Sequence, residues 1–261
     1  MGANTLSRQI RRISEIAVAP AFSVRAIRRL TMALAVSREC TSVQYQNFPP
    51  LEEKHLDNPR LYSNRTHLIS AMRSMFEGGV IAEVGVAEGD FSEYLLNELR
   101  PRKFVAFDLF TMHESRSWIT GANGERVSTK VLLNNMTHLN YYKSKFGDRG
   151  DQVSTEIGMS HVNLAKYPDK FFDVIYIDAD HTYEGVKQDA DVAKAKLADN
   201  GIIVFDDYIM FSHVEGARRG VVQAVNELVV CEDWRVCGFA LEKNLYYNIA
   251  IRKQSGSPLA T

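Results

Sequence analysis

Residues 171–186 read FFDVIYIDADHTYEGV. The run to Ile177 is apolar, β-branched and aromatic, the composition of a strand buried on both faces of a parallel sheet. It ends abruptly in Asp178-Ala179-Asp180-His181. The following TYEGVKQDADVAKAKL (182–197) has helical spacing, with Val186, Ala190, Val192 and Ala193 on one side. Strand, polar turn and helix make half of a βαβ unit, so a parallel sheet with right-handed crossovers is expected.

The pattern repeats outward. GVIAEVGV (79–86), KFVAFDLF (103–110), QVSTEIG (152–158) and GIIVFDD (201–207) read as further strands. Helices are predicted over 64–76, 90–99, 131–146 and 217–230, the first capped by Ser63 or Asn64. The end departs from alternation. WRVCGFAL (234–241) and LYYNIAIR (245–252) are joined only by Glu242-Lys243-Asn244, too short for a parallel crossover. The expected fold is a doubly wound, Rossmann-like α/β sheet of seven strands closed by a C-terminal antiparallel hairpin.

At 261 residues the chain has room for one such domain and an appendage. The predicted divisions are a basic helical extension over 1–46, a linker over 47–63 with three prolines, the α/β domain over 64–253 and a flexible tail over 254–261. The extension carries seven arginines between Arg8 and Arg38 against Glu15 and Glu39. Packing that completes a homodimer or covers a pocket is the expectation there; a transit peptide or contact with a membrane surface or polyanion is the alternative. A net charge of −1 gives no general affinity for nucleic acid. The three cysteines form neither a disulfide framework nor a CxxC pair, which suits a reducing, cytoplasmic location. No apolar run reaches the ~18 residues of a membrane span.

Ligands in doubly wound sheets bind at the carboxyl ends of the strands, near the point where strand order reverses. The first strand ends AEVGVAEGDFS, placing Gly85 and Gly89 in a tight turn where a missing Cβ lets a ligand approach the backbone. This is not the dinucleotide pattern GxGxxG, and Glu83, Glu88 and Asp90 would repel a pyrophosphate. A ligand with a cationic end fits better. Asp108 at the end of the next strand is placed to accept hydrogen bonds from a ribose diol.

The stretch Glu83-Val84-Gly85-Val86-Ala87-Glu88-Gly89 resembles the first motif of the class I S-adenosylmethionine-dependent methyltransferases, with Ala for the middle glycine. The likeness spans about residues 64–253. It implies a cofactor site in which Glu83, Gly85, Val86, Gly89 and Ser92 serve the methionine portion and Asp108 the ribose. It also places Met159 and Ser160 near the adenine, although Ser160 could equally cap a helix. An NAD-dependent oxidoreductase and a binding protein without turnover are the competing readings.

Adjacent strands lie about 4.8 Å apart, so Asp206 and Asp207 at the end of VFDDY should arrive beside Asp178. Three carboxylates at one sheet edge call for a cation, and an all-oxygen site suits Mg²⁺, with Ca²⁺ or Mn²⁺ as substitutes. A plainer reading leaves the acids hydrated, with Asp178 touching the cofactor. The pattern IDADH…GIIVFDDY resembles the metal-dependent O-methyltransferases. Its Asp-Asp pair and His181 look more like the macrolide deoxysugar enzymes than the catechol or caffeoyl-coenzyme A enzymes. The resemblance implies His181 as general base, Asp178, Asp206 and Asp207 as metal ligands, and a small acceptor, a glycoside before a phenol. Tyr208, His213, Arg218 and Arg219 are further candidates for the acceptor pocket, and Trp118 for a lid. His55, His67, His138 and His161 read as structural.

Overall fold

The computed structural model describes residues 48–114, 118–120 and 126–254. The chain divides into units 1–47 and 48–261. The first, and with it the helical extension expected over 1–46, lies outside the described residues, as does the tail from 255.

Among the described residues twelve strands and seven α-helices follow in order: β1 (Leu56–Tyr62), α1 (Arg65–Phe76), β2 (Val80–Val84), α2 (Asp90–Leu99), β3 (Lys103–Asp108), β4 (Trp118–Thr120), β5 (Arg126–Ser128), α3 (Thr129–Leu132), α4 (His138–Lys145), β6 (Val153–Ile157), α5 (Ser160–Leu164), β7 (Phe172–Ile177), α6 (Tyr183–Lys196), β8 (Leu197–Phe205), β9 (Phe211–Ser212), β10 (Ala217–Arg218), α7 (Val221–Cys231), β11 (Trp234–Ala240) and β12 (Asn248–Lys253). The main sheet has eight strands in the order β1-β11-β12-β8-β7-β2-β3-β6. From β6 to β8 all pairings are parallel; β12 runs antiparallel to both neighbours. Strand order reverses between β2 and β7, which places the crevice at the ends of those two strands.

The apolar runs are long because the central strands are covered on both faces. All five residues of β2 are buried. Ala82 and Val84 pack with Ile175, Ile177 and Phe205 against α6 and α7, while Ile81 packs with Val174, Tyr176 and Val204 against α1, α2 and α4. Alternation along β2 therefore turns Glu83 toward α2 and α4, a placement that matters below.

The sheet holds one strand more than expected. The segment read as a linker contains β1, which pairs in parallel with β11 at the sheet edge, Leu56 opposite Val236 and Tyr62 opposite Ala240. Pro59 is tolerated because an edge strand has one side without ladder bonds. Asp57 accepts a hydrogen bond from Arg252 Nε at 2.6 Å and fastens the strand.

Two other boundaries differ. The helix predicted over 131–146 is broken into α3 and α4 by Asn134 and Asn135, whose φ values of 53° and 60° are left-handed. Asparagine tolerates that region, and Thr137 restarts the helix by accepting a hydrogen bond from Asn140 N. The strand predicted from Gly201 begins earlier, at Leu197, and its pairing with β7 shifts register between Phe172 and Val174. Trp118, expected to anchor a lid, begins a short antiparallel ribbon with β5. Among the described residues no helix is long and apolar enough to cross a membrane.

Candidate active site

Backbone hydrogen bonds continue past the strand ends and align the candidate residues. Asp206 N donates to Ile177 O, Asp178 N to Val84 O, Gly85 N to Phe107 O, and Gly158 N to Asp108 O. Asp206, Asp178, Gly85, Asp108 and the turn before Met159 thus stand in a row across the carboxyl edge of the sheet.

The glycine turn is tighter than the sequence suggested. Gly85 has φ +83°, and a Cβ there would stand 2.0 Å from the Asp178 carbonyl oxygen. A Cβ on Gly89 (φ +78°) would meet the rings of Phe146 and Tyr142 at 2.9 Å. Both glycines are required by the protein's own chain. The expectation that their missing Cβ atoms open room for a ligand is corrected accordingly. His138, read as merely structural, is buried and its Nε2 donates to Ala87 O at 2.6 Å, holding the turn against α4.

Glu83 is 1% exposed, and Ser92 Oγ donates to its carboxylate. Tyr142 OH in turn donates to Ser92 Oγ at 2.9 Å. Burial pushes the Glu83 pKa up to about 8, the Ser92 hydrogen bond opposes it, and the charge of Asp178 adds to it. A carboxyl buried with one side-chain donor is costly to ionise. Asp108 accepts from Val86 N at 2.9 Å and Phe110 N at 2.7 Å, so its two oxygens organise the turn and retain lone pairs for a ligand. Ser160 neither caps α5 nor faces the crevice with its hydroxyl, which donates to Asp189 Oδ1 at 2.5 Å. Met159 is exposed.

At the other half of the edge the three aspartates meet. His181 Nε2 lies 3.3 Å from Asp178 Oδ1 and 3.4 Å from Asp207 Oδ2. The turn carrying His181 is fixed from behind, because Gly220 N donates to His181 O at 2.8 Å. Asp207 takes φ +51°, a left-handed conformation that costs energy outside glycine and clusters at functional positions. Two arginines complete the group. Arg65 Nη1 lies 3.6 Å from Asp178 Oδ2 and 3.5 Å from Asp206 Oδ2, and Arg219 Nη2 lies 3.7 Å from Asp207 Oδ2.

Burial raises all three carboxyls. Asp206 reaches about 7, with repulsion from Asp178 as the next cause; Asp178 reaches about 6 against the pull of Arg65. Asp207 also reaches about 6, repelled by Asp206 and relieved by His181 and Arg219. Burial lowers the His181 pKa, Asp207 opposes that and Arg219 adds to it, so the neutral ring is favoured.

Among the described residues no three His, Cys, Asp or Glu side chains are arranged to hold the expected divalent ion. The facing oxygens of Asp178 and Asp206 are turned to a guanidinium instead. As arranged, the site does not fit Mg²⁺.

Arg65 is a site residue that the sequence does not mark: it falls in a segment that reads only as a helix start, and no motif includes it. Arg219, a candidate from the sequence, pairs with Glu215 at 2.7 Å as well as with Asp207. Tyr208 points away, its hydroxyl donating to Asn226 Oδ1 at 2.5 Å. His213 packs at a tilt against Tyr246, with ring centroids 5.2 Å apart, and Arg218 is exposed. His55 and His67 take part in local hydrogen bonds with Glu52 N and Ser63 Oγ.

The sheet order, the crevice and the terminal hairpin define the fold of the class I S-adenosylmethionine-dependent methyltransferases. Residues 82–208 match a family described as a methyltransferase domain. The match, 127 of the 261 residues, lies within this fold. No curated protein matches it. Among solved structures, a Corynebacterium glutamicum protein is similar over 97% of this chain and 100% of its own, at 13% identity and a TM-score of 0.50. A Staphylococcus aureus protein assigned as a caffeoyl-CoA O-methyltransferase is similar over 87% of this chain and 98% of its own, at 16% identity and TM-score 0.50. For a Clostridium thermocellum protein assigned as an rRNA methylase the shares are 75% and 98%, at 17% and 0.50. At these identities the likeness is one of fold.

Proposed function

We propose that the chain methylates a hydroxyl oxygen of a small molecule, a glycoside before a phenol. The observation that carries this is the His181 ring held between Asp178 and Asp207 at the ends of β7 and β8, beside the glycine turn.

S-adenosylmethionine, when bound, supplies an electrophilic methyl group on a cationic sulfonium. In this reading Glu83, with Ser92 behind it, receives the ammonium end, and the backbone at Gly85, Val86 and Gly89 follows the methionine portion. Asp108 accepts from the ribose hydroxyls, and the turn at Met159 and Ser160 borders the adenine through its backbone and the Met159 side chain. Asp178 stands between the two halves. His181 accepts the acceptor hydroxyl proton at the ring nitrogen that does not face the carboxylates, and Asp178 and Asp207, both beside Nε2, stabilise the imidazolium that forms. Exclusion of water and alignment of the acceptor oxygen supply the rest of the rate.

A Mg²⁺-assisted form would take Asp178, Asp206 and Asp207 as ligands, and would need Arg65 and Arg219 to release those oxygens. The near-neutral charge of the chain supports a small acceptor over nucleic acid. A helical, dimer-forming role for residues 1–46 remains part of the proposal.

The test is transfer of labelled methyl to a panel of glycosides and catechols, before and after EDTA dialysis. Label on an oxygen of a glycoside or phenol is expected. Transfer confined to amines or nucleic acid would refute the oxygen assignment.

A further inference from the structure

We propose that the guanidinium of Arg65 is the resident cation of the aspartate cluster and holds the place that the sequence spacing assigned to a divalent ion. The inference rests on the reading of the Asp178–Asp206 edge as the acceptor site, but not on which acceptor is used.

The position is specific. A single nitrogen, Nη1, approaches one oxygen of Asp178 and one of Asp206 at 3.6 and 3.5 Å. Asp178 keeps its other oxygen on His181. A divalent ion bridging the two aspartates would bind their oxygens at about 2.0–2.1 Å for Mg²⁺. It would then stand within about 4 Å of the guanidinium, a separation at which like charges repel strongly in a partly buried site. One cation or the other can occupy this space.

Arg65 is built into place rather than draped over the acids. Its Cζ lies 4.3 Å from the centroid of the Phe91 ring, a cation–π contact. Phe91 itself packs on Tyr176, with centroids 4.5 Å apart. Nη1 donates to Tyr176 OH at 3.3 Å, and that hydroxyl donates to the buried Asn248 Oδ1 at 2.6 Å. The Asn248 acceptor uses up the hydroxyl proton, so Tyr176 offers Arg65 only a lone pair. At the backbone, Arg65 N donates to Glu242 Oε1 at 2.8 Å, and Asn64 caps the helix that Arg65 opens. Ring, hydroxyl and helix start come from three distant parts of the chain and converge on one side chain.

The chemistry also favours arginine. A guanidinium does not release its proton in proteins and is more weakly hydrated than an ammonium, which suits it to a partly buried ion pair. The group therefore stays cationic across the working pH range, independently of any dissolved ion. Arg65 acts as a positioning residue: it lets Asp178 and Asp206 approach each other and leaves Asp178 Oδ1 for His181. Methyl transfer at this site is then independent of divalent cations.

The test uses the full chain, freed of metal, titrated with Mn²⁺ and followed by electron paramagnetic resonance. Wild type is expected to show no saturable Mn²⁺ binding up to about 1 mM, the limit of weak association. Arg65→Met removes the charge, keeps the stem over Phe91, and should gain one Mn²⁺ bound at least about tenfold more tightly than by wild type. Arg65→Lys retains a cation and should behave as wild type. Saturable stoichiometric Mn²⁺ on wild type would overturn the proposal. So would a folded Arg65→Met that takes up no more Mn²⁺ than wild type. If Arg65→Met fails to fold, the wild-type titration decides alone. Calorimetry with S-adenosylhomocysteine on the same wild-type sample separates this from the proposed function: no cofactor heat would end that reading and leave the Mn²⁺ result standing.

Discussion

The two halves of the crevice are held in opposite ways. On the glycine-turn half, side chains serve the backbone: Asp108 binds two amides, His138 a carbonyl, and both glycines are shaped by what their Cβ atoms would strike. On the aspartate half, side chains serve one another, through Arg65, His181 and Arg219 among three carboxylates. The first arrangement is preorganised by the fold and suits a constant ligand. The second is a balance of charges that small changes can tip, and it suits chemistry on a ligand that differs from one enzyme to another.

The sharpest break of that contrast is at Gly85. Gly85→Ala places a Cβ against the Asp178 carbonyl at a left-handed φ, and should cost on the order of 4 kcal/mol or prevent folding. Thermal unfolding would show it. A melting temperature near wild type, with only cofactor binding lost, would mean that the turn is shaped by the ligand and not by the chain.

On the aspartate half, His181→Ala should lower kcat by ~10²-fold or more while S-adenosylhomocysteine binding changes little. Steady-state kinetics beside calorimetry would check it. Because burial lowers the His181 pKa, the acid limb of the wild-type profile should rise below pH ~6.5 and flatten in the variant. A near-normal kcat would move the base to another group.

The buried carboxyls predict how stability follows pH. Their folded pKa values, about 8 for Glu83 and about 6 to 7 for the aspartates, lie above the ~4 of unfolded chains. The folded state thus holds protons that the unfolded state has released. That contribution is complete below about pH 4 and is lost as pH rises through 6 to 8. The ligand-free protein should lose melting temperature over that window, and Glu83→Gln should remove the part of the loss nearest pH 8. A flat profile in both would show that these groups do not hold protons in the fold.

The smallest expected effect separates ligand from scaffold on the adenine side. Ser160→Ala removes the side-chain donor of the buried Asp189 and leaves it the His161 backbone amide, and should cost about 1–3 kcal/mol of stability with S-adenosylhomocysteine affinity unchanged. A clear loss of affinity at unchanged stability would return the Ser160 hydroxyl to the cofactor.

This division also marks what the sequence could disclose. The buried strands were legible because burial on both faces leaves long apolar runs, and the hairpin because three residues cannot span a crossover. The edge strand β1 was not, since a strand with one free side tolerates Pro59 and needs no apolar run. Asp178, Asp206 and Asp207 could be placed together because each ends a strand whose neighbours follow from the alternation. Arg65 could not: it reaches the site from the start of a helix more than a hundred residues away, and its partners Tyr176 and Asn248 look like ordinary core positions. Nor could the role of the glycines, because a sequence pattern does not reveal which atom fills the space a Cβ leaves.

The claim on which both halves depend is that the glycine-turn half binds S-adenosylmethionine. Isothermal calorimetry on the folded chain, with S-adenosylhomocysteine and NAD titrated separately, tests it most directly. The predicted result is one equivalent of S-adenosylhomocysteine bound and no heat from NAD. Absence of heat with S-adenosylhomocysteine, or saturable binding of NAD in its place, would contradict it.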